Sequence, residues 1–144
     1  NKNSIDITIN PKNIPSYNTE IFNIFINQLN DMFSQYTDKF SFLKNYSNYQ
    51  VPSFNIQKYD IGGHYNLEHC ERESPVNSNR YFAWMTYLND VNEGGETEFS
   101  YFDKKIKPLT GKTLIWPSDW THAHKANKVD NGLKYILTGW IIRN

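Results

Sequence analysis

The sequence predicts a mainly β fold with one N-terminal helix, arranged as a double-stranded β-helix, a jelly roll of the cupin-like kind. Three observations carry that expectation. Residues 18–36 repeat apolar side chains at three- and four-residue intervals, the period of a helix. Beyond residue 40 the apolar residues fall into short runs parted by Gly, Asn, Asp and Ser, the pattern of strands and turns. Aromatic residues make up 16% of the chain, and many lie in those runs, where a half-buried pleated surface suits them.

The chain opens on a strand-like stretch, residues 4–9, followed by a turn around Pro11 and Pro15. In the helix, Ile21, Phe22, Phe25, Ile26, Leu29 and Phe33 form one apolar stripe, with Ser16 or Asn18 as N-cap. Such a stripe packs against a sheet. The strands expected next are 54–59, 64–71, 81–88, 105–108, 113–116, 122–129 and 134–142. Breaks fall at Gly62-Gly63, 74–79, 89–95, Gly111 and 130–132. Short strands at this spacing, with a helix outside, argue for a sandwich or barrel. Gly94-Gly95 reads as a tight turn needing positive φ. Residues 1–144 are expected to form one domain, with 1–50 supplying a strand and supporting helix and 51–144 the jelly-roll core.

Composition excludes some functions. Fifteen basic and fifteen acidic residues leave a net charge of zero and a pI near 7.1, so neither nucleic acid nor an anionic membrane is an expected partner. The single Cys70 permits no internal disulfide and suits a reducing compartment. No apolar run approaches eighteen residues and no signal-peptide pattern is present, which predicts a soluble, cytoplasmic monomer.

Chemistry concentrates around His69-Cys70-Glu71. A His and a carboxylate two positions apart on a strand share a face, because side chains alternate with period 2. A second His from a distant strand, His124 or its neighbour His122, would complete a two-His, one-carboxylate set, which leaves iron positions open for substrate and oxygen. Lys134 fits a cation awaiting a co-substrate carboxylate. Cys70 should point the other way, into packed core. Arg80 either orients a carboxylate or pairs with an acid, and Trp116 and Trp140 read as core aromatics.

Around these residues run Tyr59-Asp60-Ile61-Gly62, Arg80, Tyr87-Leu88-Asn89-Asp90, Gly94-Gly95-Glu96-Thr97-Glu98-Phe99, Pro108-Leu109-Thr110-Gly111-Lys112 and His124…Val129…Gly132-Leu133-Lys134. In order and spacing, this stretch from about 55 to 142 resembles the 2-oxoglutarate- and Fe(II)-dependent dioxygenases of the prolyl 4-hydroxylase type, notably their small bacteriophage and bacterial members. The resemblance implies His69, Glu71 and His124 as iron ligands, and it selects His124 over His122 because only His124 has Val129, Gly132 and Lys134 at the family's offsets. It makes Lys134 the anchor of the distal 2-oxoglutarate carboxylate, Tyr59 a hydrogen-bond donor to that co-substrate and Trp140 a floor for its pocket. Arg80 and His64 become candidate substrate contacts, and the loops 60–64 and 72–79 the rim of the mouth.

Most members carry Asp where this chain has Glu71, whose extra methylene adds roughly 1.5 Å of reach. The activity implied is hydroxylation of an unactivated C–H bond, foremost of a prolyl residue in a peptide or protein. It would use Fe(II), 2-oxoglutarate and O2, be supported by ascorbate, release succinate and CO2, and occur in the cytoplasm, or the host's cytoplasm if the protein is viral. The alternative of another class is a jelly-roll binding module that has lost oxidation through Glu71.

Overall fold

The computed structural model describes residues 1–14 and 19–143. Its first strands, β1 (Lys2–Asn3) and β2 (Ile5–Ile9), precede the one α-helix among the described residues, α1 (Thr19–Lys39). The helix runs a turn beyond the expected residue 36. Pro15 and the expected N-caps, Ser16 and Asn18, lie outside the described residues. Then follow β3 (Tyr49–Gln50), β4 (Phe54–Tyr59), β5 (His64–His69), β6 (Arg80–Tyr87), β7 (Glu93–Gly94), β8 (Thr97–Phe99) and β9 (Lys104–Ile106). The chain closes with β10 (Thr113–Pro117), β11 (His124–Ala126), β12 (Val129–Asn131) and β13 (Lys134–Arg143).

Two antiparallel sheets face each other, the jelly roll that the sequence predicts. One has the order β1-β5-β11-β8-β9, the other β10-β6-β13-β4-β2 with β3 added on β13, while β12 and β7 form a small separate ribbon. The consecutive strands β1 and β2 belong to opposite sheets, so the N-terminal segment ties the two together along one edge.

The second sheet, built on β6 and β13, is buried on both faces, and its sequence says why. Along β6, Ala83, Met85 and Tyr87 point into the core between the sheets, while Phe82 and Trp84 point outward against α1. A strand covered on both sides reads as continuous apolar sequence rather than alternating. On α1, Leu29 is fully buried, and Phe22, Phe25, Ile26, Phe33 and Tyr36 pack onto the same outer cluster. Phe25 lies 5.4 Å from the Trp84 ring. Full burial, as for Leu29, contributes roughly 1.5–3 kcal/mol through removal of apolar area from water, and the partly buried side chains contribute less. Ile21, expected in the stripe, is instead exposed near the helix start.

Two expected strands are cut short. The run 64–71 ends at His69, and 122–129 divides into a 3-10 turn at Trp120–His122, then β11 and β12. The cause is local hydrogen bonding. His122 N–H closes a turn onto Asp119 O, Asn127 N–H bonds Glu96 O, and Val129 pairs with Gly94 in the separate ribbon. The turn at Gly94-Gly95 has φ of 74° and 72°, as the sequence reading requires. A Cβ on Gly94 would meet Lys128 O at 2.2 Å, so backbone approach as well as φ demands glycine there.

Candidate metal centre

Antiparallel register assembles the site from two cross-strand pairs. In the first sheet His69 stands opposite His124, and in the second Tyr59 stands opposite Lys134. Directly opposed residues of an antiparallel ladder place their side chains on the same face about 5 Å apart. Thus the two imidazoles lie with ring centroids 4.5 Å apart, and Lys134 Nζ sits 5.1 Å from the Tyr59 ring centre. Both pairs face one cavity of about 320 Å³, lined also by Glu71, Arg80 and Trp140.

Glu71 arrives by a different route from the one expected. Because β5 ends at His69, strand alternation does not place it. Instead its N–H donates to Ser118 O at 3.1 Å, holding the chain beyond the strand against the turn that leads to β11. From there Oε1 reaches to 3.4 Å from His124 Nε2 and 3.7 Å from His69 Nε2. The three side chains can each offer one ligand atom, all within 4.8 Å of one another. The same loss of alternation corrects Cys70, which is half-buried and lines the cavity rather than packing into the core.

The donor set is chemically prepared for a divalent metal. His69 Nδ1 lies 2.9 Å from Leu67 O and His124 Nδ1 3.0 Å from His122 O. A carbonyl only accepts, so the neutral rings carry their proton on Nδ1 and turn a bare Nε2 toward Glu71. Burial, then the neighbouring His124, lowers the His69 pKa and favours that neutral form. For Glu71, burial pushes the carboxyl up, but its contacts with His124, the Trp140 indole and His69 outweigh it and leave the pKa lowered. Two neutral imidazoles and an anionic carboxylate are a donor set that Fe(II) accepts. Aromatic rings back the cluster: Trp116 lies 5.1 Å and Phe99 5.6 Å from His124, while Tyr65 stacks on His69 at 4.0 Å.

At the other end of the cavity Lys134 is 1% exposed. Its Nζ donates to Gly95 O at 2.6 Å and lies 5.6 Å from the Tyr87 ring centre. Burial pushes its pKa down to about 8, with Glu96 opposing. A cation so placed, with no carboxylate at salt-bridge distance among the described residues, is suited to a bound anion. Tyr59 lines the same end, but its hydroxyl donates to Gln57 Oε1 at 2.8 Å, and Gln57 in turn donates to Asp6.

The remaining sequence-predicted residues divide. Trp140 lines the cavity and donates from Nε1 to Glu71 Oε2 at 2.7 Å, so it serves the carboxylate rather than only flooring a pocket. Arg80 lines it too, with its guanidinium 3.6 Å over the Trp140 ring and Nη1 donating to Glu71 O. His64 does not reach the cavity. Five residues from His69 on the same strand, it takes the opposite face, pairs with Asn3, and holds Gly62 O through Nδ1. His122 also departs: the 3-10 turn swings it toward Phe102, 4.9 Å away, and out of the cavity. Of the two loops expected at the mouth, 72–79 contributes Glu73 and Asn77, whereas 60–64 contributes no lining residue. Sequence reasoning missed Ser118, Gly95 and Tyr65 as supports, because each acts through a backbone atom or a ring stack with no signature of its own.

Fold and site together define the class: a jelly-roll protein whose facing sheets present two imidazoles, one carboxylate and a buried cation to a single cavity. Residues 54–142 match the family described as the 2OG-Fe(II) oxygenase superfamily. The chain belongs to that superfamily, whose metal is Fe(II) and whose co-substrate is 2-oxoglutarate, and the residues lining the cavity fit both.

Among curated proteins it is similar to probable prolyl 4-hydroxylase 9 of Arabidopsis thaliana, 31% identical over 115 residues covering 62% of this chain and 40% of that protein. It is also similar to human prolyl 4-hydroxylase subunit alpha-1, 25% identical over 101 residues, 60% of this chain and 19% of that one. The chain thus spans about two fifths or less of the length of these relatives. Among solved structures, the viral collagen prolyl hydroxylase of Paramecium bursaria Chlorella virus-1, as its 2OG complex, superposes with a TM-score of 0.71 at 22% identity, covering 99% of this chain and 80% of that one. A Trichoplax adhaerens prolyl hydroxylase in complex with a hypoxia-inducible-factor peptide gives 0.78 at 17%, covering 98% and 63%. At these identities the likeness is one of fold.

Proposed function

We propose that the chain is a 2-oxoglutarate- and Fe(II)-dependent dioxygenase that hydroxylates an unactivated C–H bond in a peptide or protein, foremost at a prolyl residue. The observation that carries the reading is the convergence of His69, Glu71 and His124 with Lys134 on one cavity, in a chain of this superfamily. Relatives and structural neighbours named as prolyl hydroxylases support the substrate class.

In this reading His69, Glu71 and His124 hold Fe(II), and bound Fe(II) supplies, with 2-oxoglutarate and O2, the oxidising power for the C–H bond while succinate and CO2 leave. Lys134 receives the distal carboxylate of 2-oxoglutarate as a charge-assisted hydrogen bond in a water-poor setting, where such contacts are strong. Met85, Thr97 and Ile136, all buried, line the same cavity and would shield the reacting groups from bulk water. Tyr65, Glu73 and Asn77 lie toward its mouth and would meet the substrate chain.

The test is succinate formation from 2-oxoglutarate under air with Fe(II) and ascorbate, for wild type and Glu71→Ala, with and without a proline-rich peptide. Iron-dependent succinate that disappears in the variant and rises with peptide is the expected result. Equal turnover in both proteins would refute the assigned metal site. Turnover indifferent to every proline-containing peptide would refute the substrate class.

A further inference from the structure

Glu71 is the departure from the aspartate its family mostly uses, and the surroundings of its carboxylate divide its two oxygens sharply. Oε1 faces the two imidazoles at 3.4 and 3.7 Å. Oε2 faces away and accepts the Trp140 indole N–H at 2.7 Å. Trp140 is itself braced: the Arg80 guanidinium carbon lies over its ring, 3.6 Å from the centre, while Arg80 Nη1 donates to the Glu71 backbone carbonyl at 3.2 Å and stands 4.0 Å from Oε2. Arg80 and Trp140 both come from the second sheet, on neighbouring strands β6 and β13. A ligand carried beyond the end of a strand in one sheet is therefore gripped by the other.

We propose that Trp140, braced by Arg80, is a positioning residue that makes Glu71 a one-oxygen ligand, and that this clamp is what lets the chain use glutamate. The proposal rests on the metal-binding reading above. A glutamate has one more rotatable bond than an aspartate and can swing to bind a metal through both oxygens. With Oε2 held by the indole, only Oε1 is available, and a position that a second oxygen would occupy stays free for co-substrate. Reach decides the counterpart. An aspartate, shorter by roughly 1.5 Å, draws its carboxylate back toward its own backbone and away from both the indole and the imidazole pair. Restoring the family's usual residue should therefore weaken the site.

Co(II) titration of the apo protein, followed by calorimetry and visible absorption, tests this without turnover. The variants are Trp140→Phe, which keeps the ring under Arg80 but removes the N–H, Glu71→Asp, and the double variant. Loss of a supporting contact of this kind lowers metal affinity about 10–100-fold. That loss is expected for Trp140→Phe, with altered Co(II) bands as a second carboxylate oxygen takes a position that water would otherwise fill. Glu71→Asp should also bind more weakly than wild type, and the double variant no more weakly than Glu71→Asp.

Wild-type affinity and bands in Trp140→Phe would overturn the clamp. So would a Glu71→Asp variant that binds as tightly as wild type, an arm that stands even if Trp140→Phe does not fold. A wild type that binds no Co(II) would instead overturn the metal site itself, a failure distinct from the other two.

Discussion

The two sheets of this jelly roll divide the labour unequally. The sheet built on β6 and β13 has strands of 8 and 10 residues and is buried on both faces, with α1 over its back. It carries Tyr59, Lys134, Arg80 and Trp140. The sheet built on β5 and β11 has strands of 6 and 3 residues, an irregular register between them and an exposed Leu67 in that irregular stretch. It carries His69 and His124. The proposed anchor for the co-substrate thus stands on long, paired strands, while the proposed metal ligands stand on short pieces fixed by turns and single hydrogen bonds. Irregular backbone gives the freedom to turn Glu71 and His124 inward, and the facing sheet restores the precision.

Four measurements would break or sharpen that contrast, beginning with the largest expected effect. Trp84, fully buried between α1 and β6, should cost about 3–5 kcal/mol on replacement by Ala. Leu67→Ala, at an exposed position of β5, should stay within about 0.5 kcal/mol. Comparable losses in chemical denaturation would mean that the sheets are equally rigid.

Next, His124→Ala should abolish metal binding in calorimetry, an effect larger than the roughly 10–100-fold expected for a supporting contact. His122→Ala should leave binding intact. Equal loss from both would undo the assignment of the turn at 120–122 as a spacer.

Lys134→Met should weaken 2-oxoglutarate binding by about 1.5–3 kcal/mol, while stabilising the apo protein at pH 7. A lysine held down near 8 when folded and 10.5 when unfolded binds fewer protons in the folded state between those values, so wild-type stability rises with pH across that window. The rise amounts to about 3 kcal/mol by linkage. The variant should lack it, and denaturation at pH 7, 8 and 9.5 reads the difference. Identical pH profiles would refute a buried charged Lys134.

Smallest is the acid side. The His69 pKa is lowered, so the unfolded chain takes up that proton first and stability falls as pH drops below about 6.5. Metal affinity should fall in the same direction, because Nε2 must be bare to coordinate. Affinity unchanged between pH 7.5 and 5.5 would exclude His69 as a ligand.

The class of the fold and the candidate reacting groups were legible along the chain. Helical period over 18–36, doubly apolar β6 and the ordered motifs from Tyr59 to Lys134 are local patterns, legible because each reports a period or a fixed offset along one chain. Strand 54–59 and the positive-φ turn at Gly94-Gly95 were readable for the same reason. What sequence offsets could not carry were contacts between residues far apart in the chain. That His69 faces His124 and Tyr59 faces Lys134 depends on cross-strand register. Strand parity expected Glu71 beside His69, and the two do meet, but by a route the backbone takes differently, since β5 stops at His69 and Ser118 holds Glu71 instead. The displacement of His64 and His122 from the cavity, the turning of Cys70 into it, and the grip of Trp140 on Glu71 were decided by tertiary structure alone. Register, strand ends and hydrogen bonds across the core are set by which surfaces pack, and packing is a property of the whole chain.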